Sequence, residues 1–127
     1  MSDLPEHLHY TADHEWIRIE GDELVVGITD HAQDALTDIV YVELPDVGTI
    51  IEEHEEFASI ESVKSVSGIF APLAGSISKV NEELDDSPEL INQDPYGAGW
   101  IVRIVPNDLD AVNGLLNAAS YRELIGE

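Results

Sequence analysis

Phe57-Ala58-Ser59-Ile60-Glu61-Ser62-Val63-Lys64-Ser65-Val66-Ser67-Gly68-Ile69-Phe70-Ala71 is the stretch that decides the fold. Phe57 to Val63 and Ser67 to Ala71 each read as a strand, and one lysine falls between them among small polar residues. A lysine so placed belongs at the tip of a hairpin, projecting into solvent. By itself this is an ordinary solvated turn lysine. What sets it apart is scarcity: the chain has 127 residues, and Lys64 and Lys79 are its only lysines.

The same strand rhythm extends on both sides. Upstream, Glu15-Trp16-Ile17-Arg18-Ile19 alternates, Gly21-Asp22 turns, and Leu24-Val25-Val26-Gly27-Ile28 returns as a hairpin partner. Thr29 and Asp30 offer N-caps for a short helix over His31 to Leu36. Ile39 to Leu44 is rich in β-branched residues and stops at Pro45, so it predicts a strand, and Thr49-Ile50-Ile51 predicts another after the turn at Asp46-Val47-Gly48. Downstream, Ser76 to Val80 and Trp100 to Val105 predict strands. Ser87 followed by Pro88 predicts the start of a short helix. From Asp108 the apolar residues Leu109, Val112, Leu115, Leu116 and Ala119 recur at helical spacing, so the end of the chain is expected to be helical, with Leu115, Leu116 and Leu124 packing on the core. Gly48-Thr49-Ile50 and Gly75-Ser76-Ile77 form a faint echo that suggests two similar half-sheets facing each other. The expectation is a mainly β fold with added short helices, a small sandwich or barrel in a single domain over 1–127, with a core over about 10–106 and a C-terminal helical extension over about 107–127.

Composition excludes several functions. Asp and Glu number 27 against 5 Lys and Arg, a formal net charge of −22. Binding nucleic acid or an anionic membrane surface needs clustered cations, so neither is expected as a partner. With no cysteine, disulfides, thiolate catalysis and Cys metal sites are ruled out. No apolar run reaches the roughly 18 residues of a membrane span. Met1-Ser2-Asp3-Leu4-Pro5-Glu6 has the order of neither a signal nor a transit peptide, so a cytoplasmic protein is expected. Such self-repulsion fits a halophilic host with a salt-rich cytoplasm, since a Debye length of about 3 Å at 1 M salt removes most of it. A merely acidic carrier with cationic docking partners is the other reading.

Glu61-Ser62-Val63-Lys64-Ser65 resembles the attachment motif of glycine cleavage H proteins, within the larger family of lipoyl domains. Glu61 three residues before the lysine, Gly48 sixteen before and Gly75 eleven after match that family's lipoylation recognition residues. The resemblance also covers His14-Glu15-Trp16, Gly27 to Gln33, Val42 to Pro45, Pro72 to Gly75, Val80-Asn81, Pro88 to Asn92, Asp94 to Gly97 and Gly99-Trp100. Biotin carriers of the same fold flank their lysine with methionines, whereas Val63 and Ser65 stand here.

The resemblance implies a barrel-sandwich hybrid fold and lipoate joined covalently to Lys64 by an amide, an arm of about 14 Å. It implies a non-enzymatic carrier that takes the methylamine group of glycine from glycine decarboxylase, which uses pyridoxal phosphate (PLP), to the aminomethyltransferase, which uses tetrahydrofolate. Dihydrolipoamide dehydrogenase would reoxidise the arm, and a lipoate ligase or lipoyl transferase would attach it. Sheltering of the loaded arm would fall to a carboxylate near its amine. Glu15 is the candidate, with Thr29 and Asp30 adding contacts, although Glu15 could equally begin a strand on a solvated face. An H-like lipoyl carrier for lipoate relay or another lipoate-dependent pathway is the alternative, and an enzyme using Lys64 as a Schiff-base amine is a more distant one, since that role wants a buried lysine.

The remaining constellations are weaker. His7-Leu8-His9 would put two imidazoles on one strand face but lacks a third ligand, so no metal site is expected. Glu52 to Glu56 reads as a solvated turn, and Trp16 and Trp100 as core or near-core residues. Lys79 has Ser76, not an acid, three residues before it and is expected to stay unmodified.

Overall fold

The computed structural model describes residues 4–126; Met1 to Asp3, part of the stretch read for a leader, and Glu127, the end of the C-terminal extension, lie outside the described residues. In chain order the elements are β1 (His9–Tyr10), β2 (Glu15–Glu20), β3 (Glu23–Ile28), α1 (Asp30–Leu36), β4 (Ile39–Glu43), β5 (Ile50–Ile51), β6 (Glu56–Ser62), β7 (Val66–Phe70), β8 (Gly75–Val80), α2 (Glu83–Asp86), α3 (Leu90–Gln93), β9 (Val102–Pro106), a 3₁₀ helix (Leu109–Gly114) and α4 (Ala118–Leu124).

Two antiparallel sheets result. A six-stranded sheet runs β1-β2-β3-β9-β8-β5, and a three-stranded sheet runs β4-β6-β7. Alternation along the strands builds the core between them. Ile17, Leu24, Val26, Ile77, Val102 and Ile104 from the large sheet meet Ile39, Val42, Ile60 and Ile69 from the small one, and all are buried. A second cluster covers the other side of the large sheet. There Leu4, Leu8, Tyr10, Trp16, Val25, Ala118 and Tyr121 pack together, so the chain's beginning and end close over one face.

The predicted hairpins form. Gly21 turns β2 into β3 with φ 65°, and β6 pairs with β7 from Glu56↔Phe70 to Glu61↔Val66. Thr29 caps α1, its hydroxyl accepting the Ala32 N–H at 3.2 Å.

Other expectations are corrected. The C-terminal segment is not one helix: it is a 3₁₀ turn, then an extended bridge in which Leu116 pairs with Tyr10, then α4. Helical spacing gives way because Leu116 N–H and C=O both bond the Tyr10 backbone, at 2.9 and 2.8 Å. Leu124 is 51% exposed, contrary to the packing expected of it, while Leu115 and Leu116 are partly buried against the cores. Ser87 ends α2, an unforeseen helix, by giving its N–H to Glu83 C=O; Glu89 holds the cap position of α3. The two echo segments do not face each other across the core but pair side by side in the large sheet, Ile50↔Ser76 and Ile51↔Gly75. His7 lies in a turn ahead of β1, so it shares no strand face with His9. Among the described residues no cluster of His, Asp and Glu has the arrangement of a metal site, and no helix is long and apolar enough to cross a membrane.

Candidate functional site

The β6–β7 tip is built by Ser62. Its N–H closes the turn on Ser65 C=O at 2.8 Å. The buried hydroxyl donates to the same carbonyl at 3.1 Å and accepts the N–H groups of Lys64 and Ser65 at 3.2 and 3.0 Å. The turn's donors are thus satisfied by one side chain, without a glycine. Val63 adds an N–H bond of 3.1 Å to Asp38 C=O, anchoring the tip to the start of β4. With its backbone held this way, Lys64 projects outward, exposed, and its ammonium makes no hydrogen bond or ion pair among the described residues. An exposed amine is available for acylation and is unlike the desolvated amine a Schiff-base lysine needs.

Around the amine the surface is apolar in an otherwise acidic molecule. Val63 and Val66 are 68% and 67% exposed, and Val40 and Tyr41 of β4 lie close by. Glu61 is exposed on β6, paired across to Tyr41 and Val66. The other two candidate recognition residues are elsewhere. Gly48 turns toward β5 with φ 92°, and its N–H bonds Ile77 C=O at 2.7 Å. Gly75 opens β8, where a Cβ would collide with the carbonyl oxygen of Val105. Both glycines have a backbone reason of their own: a left-handed turn and a close strand contact.

A groove of about 160 Å³ runs beside the tip, between α1 and β7. Ser67, Gly68 and Ile69 form one wall, Ala32, Ala35 and Leu36 the other, and His14 and His31 stand in it with Asp13. None of the three arm-sheltering candidates lines it, and Glu15 lines a separate pocket with Thr11, Asp13 and His54. Glu15 is 1% exposed, so it does not start a strand on a solvated face. Its carboxylate reaches across the core opening, accepting Phe70 N–H from β7 at 2.8 Å and the Thr11 hydroxyl at 3.0 Å. Burial pushes its pKa up to about 8, against the lowering effect of those two hydrogen bonds. Thr29 is buried beneath the helix N-terminus. Asp30 accepts from Gln33 Nε2 at 2.8 Å, turning its carboxylate along α1 instead of lining the groove.

Residues missed in the sequence include His14, His31 and Tyr121. The adjacency of His14 to Glu15 was visible, but nothing local announced that Tyr121, 107 residues away, would bond its ring. Asn92 stands in the sequence only as one residue of the Pro88 to Asn92 motif. In the fold it accepts Ile39 N–H at 2.9 Å and donates to Gln33 and Thr37, tying α3 to α1 and to the start of β4.

Two facing sheets with an exposed lysine on a hairpin tip and a groove beside it define a carrier of the lipoyl-domain type. The family model for glycine cleavage H-protein matches residues 8–127. A glycine cleavage system H protein of Halalkalibacterium halodurans is 50% identical over 127 residues, covering 100% of this chain and 99% of that one. The one of Thermus thermophilus is 54% identical over 123 residues, 97% and 96% of the two chains. The crystal structure of a glycine cleavage system H protein from Mycobacterium marinum superposes with a TM-score of 0.89 at 42% identity, covering 98% of this chain and 100% of that one. The chain belongs to the glycine cleavage H-protein family, the lipoyl-bearing shuttle of the glycine cleavage system.

Proposed function

We propose that Lys64 is the residue that carries lipoate, and that the whole chain acts in the cytoplasm as one carrier domain between the enzymes of glycine cleavage. The observation that carries this reading is the Ser62-built tip, which holds one unpaired amine clear of the protein. When attached, lipoate supplies a reducible disulfide on a tether; the chain's own residues hold, aim and shelter it. Glu61, exposed beside the tip, is the residue a lipoate ligase or lipoyl transferase reads directly. Gly48 and Gly75 act on that recognition through the backbone they permit. Glycine decarboxylase, the aminomethyltransferase and dihydrolipoamide dehydrogenase are the partners that visit the tip in turn, and the apolar collar of Val63, Val66, Val40 and Tyr41 gives them a common footing.

The groove supports a resting place for the arm. A reach of about 14 Å spans about four residues of strand at roughly 3.3 Å each, which is the stretch from Lys64 to Gly68. Ser67, Gly68 and Ile69 lie within or just beyond that reach. Glu15, bound to the N–H of Phe70 six residues along, lies beyond that reach on the same measure, so it would meet the arm only if the arm crosses the hairpin obliquely. At neutral pH Glu15 is a protonated acid, and a cationic amine brought beside it would favour the carboxylate and release a proton. Asp30 is a weaker candidate than Glu15, its carboxylate being engaged by Gln33.

The test is glycine–bicarbonate exchange by the PLP-dependent decarboxylase, with this protein lipoylated. Exchange is expected with the wild type and none above background with Lys64→Arg. Exchange that survives Lys64→Arg, or fails with a fully lipoylated wild type, would contradict the reading.

A further inference from the structure

Thr37, between α1 and β4, has a φ of 65° and a ψ of −143°, close to a region of the backbone map that is essentially glycine's. A β-branched residue there is strained, and its neighbours show what holds it. Its N–H bonds Gln33 C=O at 3.0 Å, ending the helix. Its C=O accepts Asn92 Nδ2–H at 2.7 Å. The same nitrogen donates to Gln33 Oε1 at 3.0 Å, and Asn92 Oδ1 accepts the Ile39 N–H at 2.9 Å. These partners fix which way the amide points, because a backbone N–H can only donate and a backbone C=O can only accept. Asn92 therefore brackets Thr37 and Asp38 from both sides, with both of its amide hydrogens used.

The bracket continues to the lysine turn. Asp38 C=O accepts the Val63 N–H at 3.1 Å, and among the described residues this is the one hydrogen bond that ties residues 63–65 to anything outside their own hairpin. Ser62 shapes the turn from within, and the Thr37–Asp38 segment sets where it stands against β4. A half-turn of the Thr37–Asp38 peptide would bring Thr37 to a ψ of about 37°, inside the ordinary left-handed well. That rotation would take the Thr37 C=O away from Asn92 and turn the Asp38 N–H toward Nδ2, which offers no acceptor. Asn92 thus selects the strained orientation. Without it, the relaxation of Thr37 passes to the next residue, Asp38, whose C=O is the acceptor for Val63.

Strain of this kind persists only where the surroundings over-determine it, and here it lies one hydrogen bond from the lysine turn. Resting on the reading that Lys64 carries lipoate, we propose that Asn92 is a positioning residue for lipoate attachment. It holds the Thr37–Asp38 peptide in its strained orientation and, through the Asp38–Val63 bond, holds the turn in the stance that the attaching enzyme reads. In that reaction the free amine of Lys64 attacks the carbonyl carbon of lipoyl adenylate, which the enzyme makes from lipoate and ATP. The amide forms, AMP leaves, and the nitrogen gives up a proton. Asn92 touches none of these atoms. It governs the fraction of molecules that present the turn correctly, and an enzyme that binds one stance sees its affinity reduced by that fraction. Loss of Asn92 therefore raises the KM for the acceptor protein and leaves kcat nearly as it was.

The test follows transfer of lipoate to the full-length protein by a lipoate ligase with ATP. Initial rates are measured against acceptor concentration, at a temperature where urea titration shows each variant fully folded. Asn92→Ala is expected to raise the acceptor KM about tenfold, with kcat within about twofold of wild type. Glycine adopts the Thr37 angles without strain, so adding Thr37→Gly to Asn92→Ala should recover most of that KM. Lost packing of α3 would show no such coupling. Exchange of the Val63 N–H should follow the same pattern, about tenfold faster in Asn92→Ala and near wild type in the double variant, with Lys79 unmoved. Should Asn92→Ala not fold, Asn92→Asp keeps the Ile39 bond, loses the donor to Thr37, and is expected to raise KM likewise. A KM unmoved by the substitution at Asn92, or one that rises without recovery from Thr37→Gly, would overturn the proposal. A wild type that the ligase leaves bare at Lys64 defeats the carrier reading and this one with it. A wild type lipoylated on Lys64, with the same KM for every variant, defeats this one alone.

Discussion

Lys64 and Lys79 are both exposed, yet their surroundings differ in every other respect. Lys79 lies within β8, directly opposite Arg103 of β9. Beside it, Arg18 meets Glu20 at 2.7 Å, and Arg103 meets Glu20 at 3.1 Å and Glu23 at 3.0 Å. It is one cation among neutralised charges on a sheet. Lys64 stands beyond the last β6–β7 pair, on a turn held by a serine, with an apolar collar and a groove beside it. Exposure alone therefore does not distinguish the two lysines. Position at a turning point of the chain, backbone order at that point, and an adjoining groove are what separate the two.

The largest expected effect concerns the base of the lysine hairpin, where Glu15 staples β7 to the large sheet. Its carboxyl is near 4.5 when unfolded and about 8 when folded, so between those values the folded state holds a proton that the unfolded state has lost. Stability should fall as pH rises through that window, by up to about 1.4 kcal/mol per pH unit. Glu15→Gln should flatten the dependence while still accepting the Phe70 N–H. Urea unfolding at a series of pH values checks this, and parallel curves for the two proteins would mean that Glu15 is not buried as a neutral acid.

At the tip itself, Ser62→Ala removes the acceptor of two turn N–H groups and should cost about 1–2 kcal/mol. Amide exchange at Lys64 and Ser65 should accelerate, and exchange near Lys79 should stay unchanged. Equal acceleration at both lysines would mean global loosening and would erase the distinction drawn between them.

The smallest effect concerns charge. The ion pairs near Lys79 weaken with added salt, while the repulsion of a chain at −22 weakens more. Raising KCl from about 0.1 to 2 M should therefore raise the melting temperature by a few degrees, at about 4–8 °C per kcal/mol of repulsion relieved. A fall would show that the ion pairs outweigh the repulsion and would count against a salt-rich host.

What was legible in the sequence was local. The strands around Lys64, the Gly21 turn and the Thr29 cap depend on neighbours a few residues apart, so pattern and cap chemistry sufficed. The Glu15–Phe70 contact spans 55 residues and the Thr29–Tyr121 contact 92, and neither leaves a periodic trace. Helical spacing from Leu109 onward misled for the same reason: pairing of Leu116 with Tyr10 is a long-range demand that overrides local preference. Gly48 and Gly75 were legible as matches to a resembling motif, whereas their physical reasons, a positive φ and a strand contact, needed the fold.

The central claim is tested most directly by mapping peptides of the protein purified from its native source. The account predicts a mass increase of one lipoyl group on the peptide containing Lys64 and none on the peptide containing Lys79. A Lys64 that is always bare, or a lipoyl group found on Lys79 instead, would contradict it.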